Sequence, residues 1–162
     1  MELSWEALED AGHTPTNFDG QIGVFAGCGM GSYFYFNVCS NRDLVDSVGM
    51  FLLRHTGNDK DFLATRVSYV LDLKGPSVNV QTACSTSLVA THLACQSLLT
   101  GECDLALAGG VTIQFPTEVG YVYRDGEILA PDGHCHSFDH RAQGTVLTSG
   151  GGVVSLRRLD DA

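Results

Sequence analysis

One cysteine occupies a position suited to chemistry: Cys84, in the stretch TACSTSLVA, lies where a strand-like run meets a helical one. Residues 77–82 alternate around two valines, and the apolar spacing from Ser85 onward suits a helix that ends near TGE at 100–102. The turn from a parallel strand into a helix exposes a side chain while the sheet holds it in place. The helix N-terminus then favours the thiolate, the reactive form. Position alone leaves open whether Cys84 is a nucleophile or a small buried residue.

The elements that must position Cys84 predict an α/β fold. The stretch 77–111 has the length and order of a strand–helix–strand unit with parallel strands. KGPS at 74–77 ends the helix before it, since proline cannot continue a helix. The region 37–58 shows no sharp period, and 121–144 reads as a polar, turn-rich connection. The predicted strands are 21–27, 77–82, 103–111 and GGVVSLRRL at 151–159, the last with no element left to pair with it, and the predicted helices are 3–12, 59–73 and 85–101.

Composition limits the class of protein. The 162 residues are 44% hydrophobic with 19 glycines, which suits one globular domain. Nine Lys and Arg against 19 Asp and Glu give a charge of −10, with no basic run, so a nucleic-acid partner is not expected. No stretch approaches the ~20 apolar residues of a membrane span, and no signal peptide follows Met1. We therefore expect a cytoplasmic protein whose six cysteines are reduced thiols.

Four blocks of the sequence, in order, resemble the β-ketoacyl synthases, and specifically the ketosynthase domains of modular polyketide synthases. They cover nearly the whole chain. The segment around Cys84 resembles the nucleophile motif of that family. The blocks are SWEALEDAG, FLATRVSYVLDLKGPS, TACSTSLVATHLACQSLLTGECDLALAGGV and APDGHCHSFDHRAQGT.

The resemblance implies a thiolase-like fold of two stacked α/β halves that works as a homodimer. Residues 1–162 would be a partial domain, the N-terminal half without the family's opening strand and without the second half. The implied reaction, in polyketide or fatty acid biosynthesis, is a decarboxylative Claisen condensation. The cysteine takes an acyl chain from a thioester, and a malonyl-type unit on an acyl carrier protein then attacks that acyl group.

Carried over by motif position, Cys84 would be the acylated nucleophile, and its backbone N–H would be one donor of the oxyanion hole. The resemblance implies no metal and no nicotinamide. The expected partner is an acyl carrier protein, and the phosphopantetheine arm belongs to that partner.

The two histidines that serve decarboxylation in the family have no counterpart in this sequence. One belongs to a His-Gly-Thr-Gly-Thr motif and the other to an Asn-x-Gly-His-like motif, and neither motif occurs here. His92 is about two helical turns beyond Cys84, too far to be its immediate base, and is interpreted as a surface or packing residue. We therefore expect that these residues alone do not complete the condensation. The family's usual sequence is also replaced at 134–140 and at 144–152.

The residues allow three other interpretations. His134, Cys135, His136 and His140 are zinc-ligand types, but a second pair of ligands at zinc spacing is missing. GVFAGCGMGS at 23–32 is similar to a dinucleotide loop, but its third glycine is replaced by serine, and a tight turn fits better.

The third interpretation is a cysteine-dependent thioester hydrolase, which needs a histidine near Cys84 in space. The non-enzymatic alternative is an inactive fragment or dimerising remnant without turnover. Trp5 and the aromatic run 33–36 are interpreted as core or interface.

Overall fold

A four-stranded sheet lies at the centre of the chain in the computed structural model, which describes residues 1–55, 57–117 and 119–162. The strands stand in the order β2-β1-β3-β4. β1 is parallel to both β2 and β3, whereas β4 runs antiparallel to β3. The strand bounds are Ile22–Cys28 for β1, Ser77–Asn79 for β2, Leu105–Thr112 for β3 and Gly150–Leu156 for β4.

In the described residues, five α-helices cover the sheet or extend from it, and short single-turn helices join several of them. Their bounds are Glu2–Asp10 for α1, Arg42–Val48 for α2, Met50–His55 for α3, Leu63–Val70 for α4 and Thr86–Leu99 for α5. A π-helical turn spans Phe34–Val38, and 3-10 turns span Lys60–Phe62, Ala83–Ser85 and Leu159–Asp161. No helix within the described residues has the length and apolar character needed to cross a bilayer.

The core has two layers, one on each face of the sheet. On one face α1 and α4 pack against β1 and β3 through Leu8, Val67, Val24 and Leu107. On the other face α5 packs through small residues, of which Ala90 and Ala94 are fully buried. Successive residues of β1 and β3 point alternately into the two layers, which is the period-two pattern of strands buried on both faces.

α5 is apolar around much of its circumference. Its alanines face the sheet, but Leu88 and Leu99 are 73% and 75% exposed. A helix that is apolar all round is normally covered on every side. The leucines whose spacing predicted this helix therefore do not pack against the sheet, apart from Leu98, which is buried.

Most of the predicted elements are present, with shifted bounds. The expected helix over 59–73 is divided into a 3-10 turn and α4, and the expected strand over 77–82 is only three residues long. The expectation that the last strand has nothing to pair with is wrong, because β4 pairs with β3 from Ala106↔Leu156 to Thr112↔Gly150. The long connection after β3 lets the chain return beside that strand. The helices α2 and α3 lie where the sequence showed no period.

Candidate active site

Cys84 lies in the one-turn helix Ala83–Ser85, between the end of β2 and the start of α5. The residue before it, Ala83, has a positive φ of 53°, a conformation that L-residues adopt at a cost of about 1 kcal/mol or more. Hydrogen bonds hold the turn: Ser85 Oγ donates to Thr82 O at 2.8 Å, and Thr82 N donates to Thr86 Oγ1 at 3.0 Å. The sharp turn leaves Cys84 exposed at the carboxyl edge of the sheet, so of the two readings that its position left open the structure does not support a buried residue.

The end of β1 is pressed against this turn. A Cβ added at Gly27 would lie 1.9 Å from Val80 O and 2.3 Å from Thr86 Cγ2. With its side-chain amide turned to the orientation that matches donors to acceptors, Gln81 exchanges two hydrogen bonds with the backbone of Cys28: its nitrogen donates to the carbonyl at 3.0 Å and its oxygen accepts from the N–H at 3.2 Å. The strand that leads to Cys84 is therefore fixed to the carboxyl end of β1.

These contacts give the glycine pattern of 23–32 a structural role. Gly27 admits the turn, and Gly29 admits Thr112, whose Oγ1 would lie 2.1 Å from an added Cβ. Ser32, which replaces the third glycine of the dinucleotide pattern, is buried and its Oγ accepts from Phe115 N at 3.1 Å. Close packing accounts for these residues.

A cleft of 670 Å³ opens above the carboxyl ends of the parallel strands, and Cys84 lines it. Its other walls include Gln81, Thr86, Ser87 and Thr112, so side chains that can hydrogen bond surround the thiol. Several glycines also line it. The small walls leave room for an extended substrate beside the sulfur.

The histidines lie elsewhere within the described residues, and none of them lines this cleft. His13 packs edge-on against Phe18, and His55 Nδ1 is 3.6 Å from Asp59 Oδ2. His92 is exposed on α5, in agreement with its interpretation as a surface residue. The other three lie in the connection before β4. A cysteine hydrolase would need one of them beside the thiol.

The zinc-like run does not converge on one point. His136 Nε2 lies 2.8 Å from Asp132 Oδ2, whereas the Cys135 sulfur is 3.7 Å from Ser137 Oγ. His140 is 3.3 Å from Asp139 instead. Within the described part of the chain, no three His, Cys, Asp or Glu side chains form a set that would hold a metal ion. The hydrogen bond from His136 is the first cause that lowers the pKa of Asp132.

The six cysteines are unpaired and differ in environment. Cys103 is almost fully buried, its thiol lies 3.4 Å from Ser97 Oγ, and burial raises its pKa. A buried thiol with a raised pKa is a poor nucleophile. Cys84 is exposed in a cleft, whereas Cys135 is exposed in the connection before β4. Cys28 also lines the cleft but is only partly exposed, so among the described residues Cys84 is the exposed thiol of this cleft.

Sequence reasoning missed two residues of the cleft. Gln81 lies inside the quoted nucleophile motif, but its amide contact with Cys28 depends on strand pairing. Lys60 lines the cleft with Cys84 although it is 24 positions earlier in the sequence. Only the tertiary fold brings Lys60 there, since the sequence around it reads as an ordinary helix start.

Comparisons with known proteins agree with this architecture. The chain resembles the structure of ketosynthase twelve from the bacillaene polyketide synthase of Bacillus amyloliquefaciens, with a TM-score of 0.80 and 32% identity over 98% of this chain and 27% of that one. The ketosynthase from module 1 of the bacillaene synthase of B. amyloliquefaciens FZB42 gives a TM-score of 0.74 and 32% identity, covering 99% of this chain and 28% of that one. The fold is therefore thiolase-like, and the chain covers a little over a quarter of each of these structures.

The sequence comparisons give the family. The family described as "Beta-ketoacyl synthase, N-terminal domain" matches residues 1–162. A phenolphthiocerol/phthiocerol polyketide synthase protein of Mycobacterium tuberculosis is 49% identical, over 98% of this chain and 11% of that protein. Mycoketide-CoA synthase of the same species is 47% identical, over all of this chain and 4% of that protein. The chain belongs to the β-ketoacyl synthase family and is similar to the ketosynthases of polyketide synthases, although it spans only a small part of these relatives.

Proposed function

We propose that this chain serves as a ketosynthase in polyketide or fatty acid biosynthesis, with Cys84 as the residue that carries the growing acyl chain. The observation that supports this most is the place of the thiol. It is exposed in a 670 Å³ cleft on a hydrogen-bonded turn between a parallel strand and α5. Such a turn holds a nucleophile rigidly and open to substrate.

The first step is an exchange of thioesters. The Cys84 thiolate attacks the carbonyl carbon of an acyl thioester, a new C–S bond forms, and the donor thiol leaves with a proton. The tetrahedral intermediate places negative charge on the carbonyl oxygen. The backbone N–H of Cys84, close to the N-terminus of α5, is the expected donor to that oxygen.

The second step forms the carbon–carbon bond. A malonyl-type thioester loses CO₂, and its carbanion attacks the acyl carbon on Cys84. The C–S bond to the cysteine breaks, the thiolate regains a proton, and a β-ketoacyl thioester leaves. The histidines that serve this step in the family are absent from this sequence. We therefore expect the 162 residues to accept an acyl group without completing the condensation.

An acyl carrier protein is the expected partner, because its phosphopantetheine arm delivers both thioesters. We expect the protein to act as a homodimer in the cytoplasm, as members of the family do. The proposed reaction needs no metal or redox cofactor bound to this chain. The acyl donor and the extender unit are both substrates.

The test is acylation of the chain by a short acyl-pantetheine thioester, followed by intact mass. We expect one acyl group per chain, abolished in Cys84→Ala and retained in Cys135→Ala, a control that removes another exposed free thiol. Acylation that survives in Cys84→Ala would contradict the proposal. Release of free acid with turnover would instead indicate a thioester hydrolase. A folded chain that is never acylated would indicate a remnant without activity.

A further inference from the structure

Lys60 lies where three cavities meet. Besides the 670 Å³ cleft with Cys84, it lines a cavity of 340 Å³ that also contains Arg66 and a third of 150 Å³ that also contains Arg54. Cys28 and Met30 each line two of these cavities, whereas Lys60 lines all three. We call this place the Lys60 junction. Lys60 is therefore the described residue that the nucleophile cleft shares with both smaller cavities.

The ammonium group at the junction has no acidic partner within the part of the chain that the structure describes. Lys60 is half-buried, and among the described residues its side chain forms no hydrogen bond or ion pair. The other lysine of the chain, Lys74, is exposed and is paired with Asp72. A charge that is partly removed from water without a partner costs free energy, so this position favours an anion brought by a ligand.

The charged side chains around Lys60 are mostly positive, as Lys60 is. Counting the described residues alone, the charged side chains that line the three cavities are Arg54, Asp59, Lys60 and Arg66. The single carboxylate among them is engaged, since Asp59 Oδ2 lies 3.8 Å from Arg54 Nε and 3.6 Å from His55 Nδ1. A chain with a net charge of −10 thus gathers three cationic side chains around the Lys60 junction. Such a region attracts anionic ligands from solution.

We infer that Lys60 binds an anionic oxygen group of the thioester substrate while the thioester itself reaches Cys84. This inference rests on the proposed function, because only a substrate for Cys84 needs to enter the cleft. Two sources carry the required chemistry: the phosphate of a phosphopantetheine arm and the carboxylate of a malonyl unit. Lys60 is thus assigned as a positioning and specificity residue, separate from the chemistry at the sulfur.

The test measures binding before any acyl transfer. Titration calorimetry with 4′-phosphopantetheine, pantetheine and malonyl-pantetheine would be performed on the wild-type chain, Lys60→Met, Lys60→Arg and Lys74→Met. We expect Lys60→Met to weaken the phosphorylated or the malonyl ligand about tenfold, as for loss of a charge-assisted hydrogen bond. Lys60→Arg should restore the affinity, and Lys74→Met and the neutral ligand pantetheine should show no change.

The outcomes separate the two sources and the two proposals. A loss confined to 4′-phosphopantetheine assigns the site to the phosphate, and a loss confined to malonyl-pantetheine assigns it to the carboxylate. The inference is wrong if neither anionic ligand binds the wild-type chain, if affinity is independent of Lys60, or if Lys74→Met has the same effect. Acylation with butyryl-pantetheine, which carries no anion, reports separately on Cys84. Its failure alongside Lys60-dependent binding would remove the proposed function and leave the anion site.

Discussion

At the scale of single residues, Gly27 controls the distance between β1 and the turn that carries Cys84. An added Cβ would meet backbone atoms of Val80, which cannot rotate away as a side chain does. Its partner across the sheet, Gly110, has no such contact, since an added Cβ there would lie 3.6 Å from Gly27 O and 3.7 Å from Ser87 Cβ. Of these two paired glycines in the cleft, only Gly27 therefore lacks the space for a larger side chain.

Gly27→Ala should destabilise the chain by about 3 kcal/mol, because overpacking against a fixed backbone forces β1 and β2 apart. Gly110→Ala is the matched control and should change stability by about 1 kcal/mol or less. Urea denaturation followed by circular dichroism measures both. Equal urea midpoints for the two variants would show that the close approach of Val80 to Gly27 does not exclude a larger side chain.

At the scale of elements, Asn79 joins β2 to the start of α4. Its Oδ1 accepts from Ala64 N at 2.9 Å, and its Nδ2 donates to Asp61 O. The first turn of a helix has N–H groups without partners inside the helix. Here a strand 15 residues later in the chain supplies the acceptor. The helix and the strand that leads to Cys84 are thereby held in register.

Replacing Asn79 by alanine should cost about 1 to 2 kcal/mol of unfolding free energy, since one helix cap and one tertiary hydrogen bond are lost. Asn41→Ala is a useful comparison, because Asn41 caps α2 in the same way but α2 has no buried residues. Thermal unfolding of both variants, followed by circular dichroism, measures the difference. The Asn41 variant should lose less global stability than the Asn79 variant. A larger loss for Asn41→Ala would contradict the role given to Asn79.

Sequence reasoning recovered the elements with strong periodicity and missed those without it. The strand before Cys84 follows from the alternation around Val78 and Val80, the helix after it from the spacing of its leucines, and β3 from a nearly continuous apolar run. The helices α2 and α3 were not predicted, because they bury no residue and so leave no apolar stripe. Strand order and the pairing of β4 depend on contacts between distant segments, which a local pattern does not encode. For the same reason the motif gave Cys84 but could not give Lys60.

At the scale of the whole molecule, a charged cluster closes the end of the sheet opposite the cleft. Asp104 accepts from Gln21 N at 2.9 Å and from Arg158 Nη2 at 3.0 Å. Arg158 Nη1 also donates to Leu98 O at 2.8 Å, at the end of α5, and to Cys103 O at 2.9 Å. The cluster thus joins β1, α5, β3 and the C-terminal segment.

This cluster makes stability depend on acid pH. The Gln21 N–H, and then Arg158, hold the pKa of Asp104 below its ordinary value of 3.8. Its stabilisation is therefore fully present above that ordinary value and is lost as the pH falls through the lower folded-state pKa, because the unfolded chain takes up the proton first. Wild type should exceed Asp104→Asn in urea midpoint at about pH 6, and the difference should shrink at about pH 3.

Arg158→Met separates the two causes of that pH dependence. It removes the hydrogen bond and the charge of Arg158 and leaves the Gln21 hydrogen bond, so part of the acid-dependent difference should remain. A difference between wild type and Asp104→Asn that is constant from neutral to acid pH would show that the carboxylate charge at position 104 has no part in it.

The position of β1 between β2 and β3 has a consequence for the order of folding. β1 is synthesised before both of the strands that pair with it. The hydrogen bond from Gln21 to Asp104 at the base of β1 joins residues that are 83 positions apart in the sequence. Closing long loops costs entropy before any contact compensates, so sheets of high contact order form slowly. The turn with Cys84 gains its environment only when these distant segments have assembled around β1. A nascent chain therefore carries the Cys84 thiol well before the candidate site around it has formed.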